Sequence, residues 1–162
     1  RDVVYAGQLI ARKRVCELWK MWRAVASGES LAMIGEGPLR GELLAQEAPV
    51  EPGLGADGLA ARFRAASALI LVSAVDHWGL VVHEATLCGC LILITRTCGA
   101  ADDLVVHREN GYVMEDLSES ELRDALMWMR GLTAHQEAEG RARSVALAKQ
   151  FSPARWADRA YQ

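Results

Sequence analysis

The sequence predicts an α/β fold, a doubly wound, Rossmann-like parallel sheet of about six strands with helices on both faces. Three observations lead there. Short apolar runs alternate along the chain with longer segments whose apolar residues recur at helical spacing. The clearest runs, residues 68–72 and Leu91–Thr95, are apolar at every position or nearly so, as strands covered on both faces must be. With 162 residues, 51% of them hydrophobic and 24% charged, the chain has the size and apolar content of one folded domain and not of a disordered segment.

Taken in order, residues 3–9 read as the first buried strand and Ala11-Arg12-Lys13-Arg14 as a basic loop. Val15, Leu18, Trp19, Trp22 and Val25 then keep helical spacing. Ser30–Ile34 is the second strand, ended by Gly35-Glu36-Gly37-Pro38. Pro38, which has no amide to donate, suits the first turn of a helix running through Leu43 and Leu44. Residues 48–54 hold a short or irregular strand among prolines and glycines, and Asp57 is placed to cap a helix presenting Leu59, Phe63 and Ala66.

Residues 68–72 form the fourth strand, 73–79 a loop, and 80–88 a helix. Leu91–Thr95 is the fifth strand, and Tyr112-Val113-Met114 the sixth, after an Asn110-Gly111 turn. Ser118-Glu119-Ser120-Glu121 is a capping box that opens a helix with Leu122, Leu126 and Met129 inward. A polar helix over 134–149 follows, and Ser152-Pro153 opens a last short helix bearing Trp156. Trp19, Trp22, Phe63, Trp128 and Met129 read as core.

Charge and cysteine usage exclude several functions. The longest charge-free runs, 65–75 and 85–95, fall short of the roughly 18–20 apolar residues that a bilayer requires. Eighteen basic against 21 acidic residues give a net charge of -3, where a nucleic-acid binder carries a basic surplus. Cys88-Gly89-Cys90 lacks the spacing and the second pair of a metal clip, so Cys16, Cys88, Cys90 and Cys98 read as small buried thiols in a reducing compartment. Arg1 stands first and an apolar run, Val3-Val4-Tyr5-Ala6, follows almost at once, which reads as a domain of a longer protein.

In a doubly wound sheet, ligands bind beyond the carboxyl ends of the strands where the strand order reverses. For the order 3-2-1-4-5-6 that point lies between residues 8–14 and 73–79. The first loop brings Arg12, Lys13 and Arg14; the second brings Asp76 and His77, then Gly79 at a helix N-terminus. Cations facing a helix N-terminus suit a diphosphate. Taken without its location, the same basic run reads as a solvated loop. Glu84, one turn into the helix, can turn its carboxylate to the same crevice, where two acceptor oxygens suit paired sugar hydroxyls. Its neighbours Val82, Ala85, Leu87 and Cys88 leave that helix little exposed surface. Two nucleotide motifs fail: Arg40 stands where G-x-G-x-x-G needs its last glycine, after the wrong strand, and no P-loop occurs.

Four motifs in register carry a resemblance. Asp76-His77-Trp78-Gly79-Leu80-Val81-Val82-His83-Glu84-Ala85 resembles the E-x7-E segment of family-four, GT-B-type retaining glycosyltransferases. Gly7-Gln8-Leu9 with Arg12-Lys13 resembles their G-R-L…K-G element, and Gly35-Glu36-Gly37-Pro38-Leu39 their G-x-G-P turn. Gly99-Ala100-Ala101-Asp102-Asp103-Leu104-Val105 with Asn110-Gly111 is similar to their G-A-x-P-E/D-L-V…N-G run. The resemblance is to the C-terminal, donor-binding domain and spans nearly the whole chain.

The resemblance implies a single nucleotide-sugar domain over residues 1–162, lacking the N-terminal acceptor domain, that serves the transfer of a hexose-type sugar to an acceptor hydroxyl. It implies ribose contacts for Glu84, sugar contacts for Asp76, diphosphate binding by Lys13, and backbone amides of Gly79 and Leu80 cradling phosphates. Gly7, Gln8, Arg12, Gly35, Gly37 and Trp78 complete the implied donor site. No metal motif or cofactor is implied, and the expected location is cytoplasmic, with membrane contact only through the missing domain. The chain departs from the pattern at Gln8, where Arg is usual, at Asp76, usually Glu, at Arg14, often Gly, and at Asp102, often Pro. Gln8 and Asp76 motivate one alternative, a non-catalytic nucleotide-sugar-binding or regulatory module; a related GT-B enzyme such as a sugar-nucleotide epimerase is another. His83 is expected to pack, and His77 and Trp78 to line or anchor the loop.

Overall fold

The computed structural model describes residues 1–151. Six parallel strands, β1 (Asp2–Ala6), β2 (Ser30–Ile34), β3 (Val50–Glu51), β4 (Ala68–Leu71), β5 (Leu91–Thr95) and β6 (Gly111–Met114), form one sheet in the order β3-β2-β1-β4-β5-β6. The order reverses at β1, which lies between β2 and β4. Ala6 pairs with Ile34, and Val3 and Val4 pair with Ala68 and Leu69, so β1, β2 and β4 end at one level. The loops that follow them therefore open onto a common edge.

Among the described residues seven helices cover the sheet: α1 (Val15–Val25), α2 (Arg40–Ala45), α3 (Ala56–Ala65), α4 (Leu80–Leu87), α5 (Ala100–Leu104), α6 (Glu119–Gly131) and α7 (Ala134–Ala148). Helix α1 touches α2 and α6, while α4 touches α3, α5 and α7, which sorts them into two layers, one per face. Every residue of β4 and β5 is buried, and Trp22 and Phe63 close the core against the helices. Burial of each such large apolar side chain contributes about 1.5–3 kcal/mol.

The expected boundaries shift in several places, each with a local cause. The first strand stops at Ala6, not at residue 9; Leu9 is fully buried because the loop folds inward, its amide donating to the Glu36 carbonyl (2.9 Å). Pro38 lies in a turn ahead of α2, whose N-cap is Leu39, because Arg40 N donates to Gly37 O (3.1 Å) first. Gly55, and not Asp57, is the N-cap of α3; Asp57 sits in the first turn, where its charge still favours the helix dipole. The five-residue α5 falls within the run matched to a motif and was not expected as a helix, being too short for periodicity to show.

Ser118 caps α6 by accepting from Glu121 N, but the Glu121 carboxylate accepts from Glu115 N (3.2 Å) instead of closing the box. The reciprocal capping box occurs at Thr133 and Gln136, ahead of α7. Asn110 is a buried hub more than a turn residue: its side chain donates to Leu104 O (3.0 Å) and Ser144 Oγ (3.1 Å) and accepts from Val106 N (2.8 Å). Gly111 follows because a Cβ there would collide with the Ile92 carbonyl of β5.

All four cysteines are free thiols, Cys90 and Cys98 buried and Cys16 and Cys88 half-buried. Burial pushes the Cys90 thiol up to about 12 and, with Glu42 beside it, the Cys16 thiol up to about 11. Trp19 and Trp128, expected in the core, are only partly buried at its edge. The helix expected at 152–153, with Trp156, lies outside the described residues. Among those residues no helix is long and apolar enough to cross a membrane.

Candidate functional site

A cavity of about 560 Å³ opens at the common edge, between the ends of β1, β2 and β3 and the start of α4. Gly7 and Gln8 line it from the loop after β1, Gly35 and Glu36 from the loop after β2, and Leu80 and Glu84 from α4. The loops after β1 and β2 run in backbone contact. Gly7 N donates to Ile34 O (3.0 Å) and Leu39 N to Leu9 O (3.0 Å). A Cβ on Gly35 would overlap the Gly7 carbonyl oxygen, and one on Gly37 would come within 2.5 Å of the Leu9 carbonyl oxygen. The two glycines of Gly35-Glu36-Gly37-Pro38 are thus set by this close approach. Gly35 reaches the cavity; Gly37 instead packs the two loops together behind it.

On the far side, Gly79 is the N-cap of α4 with φ +80°, a left-handed conformation that glycine adopts without steric cost. The α4 N-terminus and its free amides therefore open onto the cavity edge. Leu80 is 71% exposed there. Glu84 is exposed as well, one turn on, with its carboxylate bordering the cavity. The expectation that α4 leaves little exposed surface is corrected: Val82 and Ala85 are buried, but Leu80, Glu84 and Leu87 are exposed, and Leu80 and Glu84 line the crevice. Glu84 and the α4 N-terminus thus border the same cavity.

Lys13 and Asp76, which do not line the cavity, form an ion pair between the loops after β1 and β4, with side chains only 13% and 12% exposed. Lys13 ends a 3-10 turn, Ala11–Lys13, whose Arg12 carbonyl accepts from Ala74 N (2.9 Å). The Arg12 guanidinium donates to Val75 O (3.0 Å), so this exposed cation ties the two loops together. Arg14, the other cation of the run, pairs with Glu17 (2.7 Å) on α1 and turns away. Beneath, the buried Tyr5 hydroxyl donates to the Gln8 carbonyl (2.7 Å) and fixes the exposed Gln8 at the cavity rim. Burial first, and the Asp76 charge second, push the Tyr5 phenol far above its ordinary range.

Trp78 and His83 anchor α4 and do not line the cavity. The Trp78 ring packs at 5.3 Å, tilted, on Phe151, and His83 Nε2 lies 3.0 Å from Ala148 O. Sequence reasoning did not single out Glu36, Leu54 and Leu59, which complete the cavity, or Phe151. Glu36 lay in view inside the G-x-G-P turn; nothing in the local pattern marks Phe151. Among the described residues no cluster of three or more His, Cys, Asp or Glu side chains is gathered as a metal ion would require.

The family described as glycosyl transferases group 1 matches residues 1–130. No match was found among the curated proteins. Of the solved structures, the lipopolysaccharide outer core galactosyltransferase WaaB in its apo form superposes with a TM-score of 0.80 at 17% identity, covering 96% of this chain and 46% of that one. The Anabaena protein HepE in complex with UDP-glucose gives 0.77 at 18%, covering 92% and 44%. The C-terminal domain of the group 1 family protein LpcC from Francisella tularensis gives 0.75 at 18%, covering 93% and 85%. At these identities the likeness is one of fold, and the chain spans about a third to a half of the length of the first such structures. The architecture is that of one half of a GT-B enzyme, and with four-fifths of its length matched the chain belongs to the group 1 glycosyl transferases.

Proposed function

We propose that this chain is the donor-binding half of a retaining glycosyltransferase that moves a hexose-type sugar from a nucleoside diphosphate to an acceptor hydroxyl. The observation that carries the proposal is the cavity at the strand-order reversal, bordered by the α4 N-terminus and by Glu84, with Lys13 on the same loop as the lining Gln8. That combination offers amides and a cation to a diphosphate and a carboxylate to ribose hydroxyls. HepE was solved with UDP-glucose, and a pneumococcal O-GlcNAc transferase of the same fold with UDP and GlcNAc.

In this reading the nucleoside lies along Gly7, Gly35 and Glu84, and the diphosphate runs toward Gly79, Leu80 and Lys13. The bond between the sugar's anomeric carbon and the phosphate oxygen breaks through an oxocarbenium-like state. The Lys13 ammonium and the α4 amides stabilise the charge that develops on the departing phosphate. The acceptor hydroxyl adds from the same face and gives its proton to that phosphate. No metal is needed for the charge that Lys13 and the helix dipole supply. The acceptor would be held by an N-terminal domain of the same enzyme, working in the cytoplasm. A non-catalytic donor-binding module is favoured by one observation, the engagement of Asp76 with Lys13.

Calorimetric titration with UDP, GDP and ADP tests the proposal. One of the three is expected to bind, and Glu84→Ala to weaken it roughly 10- to 100-fold, the worth of hydrogen bonds to a charged acceptor. Binding indifferent to Glu84, or none by any nucleotide, overturns it.

A further inference from the structure

The family resemblance gives Asp76 contacts to the donor sugar. The geometry points elsewhere. We infer that Asp76 is a positioning residue, whose carboxylate holds the Lys13 ammonium beside the diphosphate position instead of contacting the donor sugar. The inference rests on the donor-site reading above and revises one role within it.

Four observations support it. The Asp76 backbone is fixed on both sides: its amide donates to Thr97 O (3.2 Å), its carbonyl accepts from Gly99 N (2.8 Å), and it bridges to Cys98. The side chain therefore springs from a rigid point, and a single methylene gives it little reach. One carboxylate oxygen is already engaged: Oδ2 accepts from Lys13 Nζ and, at 3.5 Å, from Ser73 Oγ.

Lys13 is equally constrained, at the end of a 3-10 turn locked to the Asp76 loop through Arg12 at two points. An ammonium has three N–H donors, so one spent on Asp76 leaves two for phosphate oxygens. With both side chains mostly buried, removing the carboxylate leaves Lys13 an uncompensated, unoriented charge. A lysine held this way loses less freedom when the diphosphate arrives.

A sugar-free ligand separates the two roles. If Asp76 contacts the sugar, Asp76→Ala weakens only the nucleotide-sugar. If Asp76 positions Lys13, it also weakens the nucleoside diphosphate alone, by about tenfold, within the coupling range of contacting residues. That effect is expected to vanish in the Lys13→Met background. An unchanged or tightened affinity for the diphosphate in Asp76→Ala, or the same loss in both backgrounds, overturns the inference.

A ligand-free arm keeps the inference separate from the donor-site reading. Labelling with an amine-acylating reagent, read by mass spectrometry, is expected to modify Lys13 at least several-fold faster in Asp76→Ala than in the native chain. If no nucleotide binds the native chain, the donor site falls on that result alone. Equal labelling of Lys13 in the two proteins overturns the pairing whatever binds.

Discussion

At the scale of single residues, the site is governed by how closely two backbones approach. Gly35 has the Gly7 carbonyl where a side chain would begin, whereas Gly41, inside α2, faces open space. Gly35→Ala is therefore expected to cost about 1–3 kcal/mol or more by overpacking and to weaken nucleotide binding with it. Gly41→Ala is expected to leave binding alone and to stabilise by about 0.5–1 kcal/mol through helix propensity. Denaturant midpoints and the same titrations check both. The motif glycines were legible in the sequence; their reason was not, since Gly7 and Gly35 meet only once the sheet has formed. The Lys13–Asp76 pair joins positions 63 apart, and no local pattern announces it.

At the scale of elements, the parallel strands were the most legible, because burial on both faces leaves an unbroken apolar run. The first strand's end was not, since an inward-folded loop also buries an apolar residue, Leu9. Glu84 lines the cavity, but not because α4 lacks exposed surface, since Leu80, Glu84 and Leu87 are all exposed. The 3-10 turn Lys149–Phe151 adds a contact that no motif marks, packing Phe151 on Trp78 while Ala148 meets His83. These contacts clamp α4 and the loop before it onto the end of α7. Phe151→Ala is expected to raise amide hydrogen exchange through residues 76–80, with β4 and β5 unchanged. Equal exchange in loop and strands would refute the clamp.

At the scale of the whole molecule, Arg1 and Arg141 join opposite ends of the described chain through Glu137 on α7. Burial works to raise the Glu137 carboxyl, but hydrogen bonds from Arg1 and Arg141 outweigh it and hold it below its ordinary value. An acid held low in the folded state adds stability above its unfolded value and loses it as pH falls through the folded one. The stability advantage of the native chain over Glu137→Gln is therefore expected to be full near neutrality and to vanish in acid below the usual glutamate range. A pH series of melting curves on both proteins checks it. The strand order 3-2-1-4-5-6, on which the position of the crevice rests, is the observed one, so the sheet edge that holds the cavity is legible from the sequence while its side-chain contacts are not. If a nucleoside diphosphate sugar occupies the cavity at that edge, backbone NMR titration with UDP-, GDP- and ADP-sugars will locate it there. The expected result is that one of them shifts the amides of Gly7, Gln8, Gly35, Glu36 and Leu80 most; shifts confined to the separate cavity at Arg108 and Arg143, or none with any donor, would contradict it.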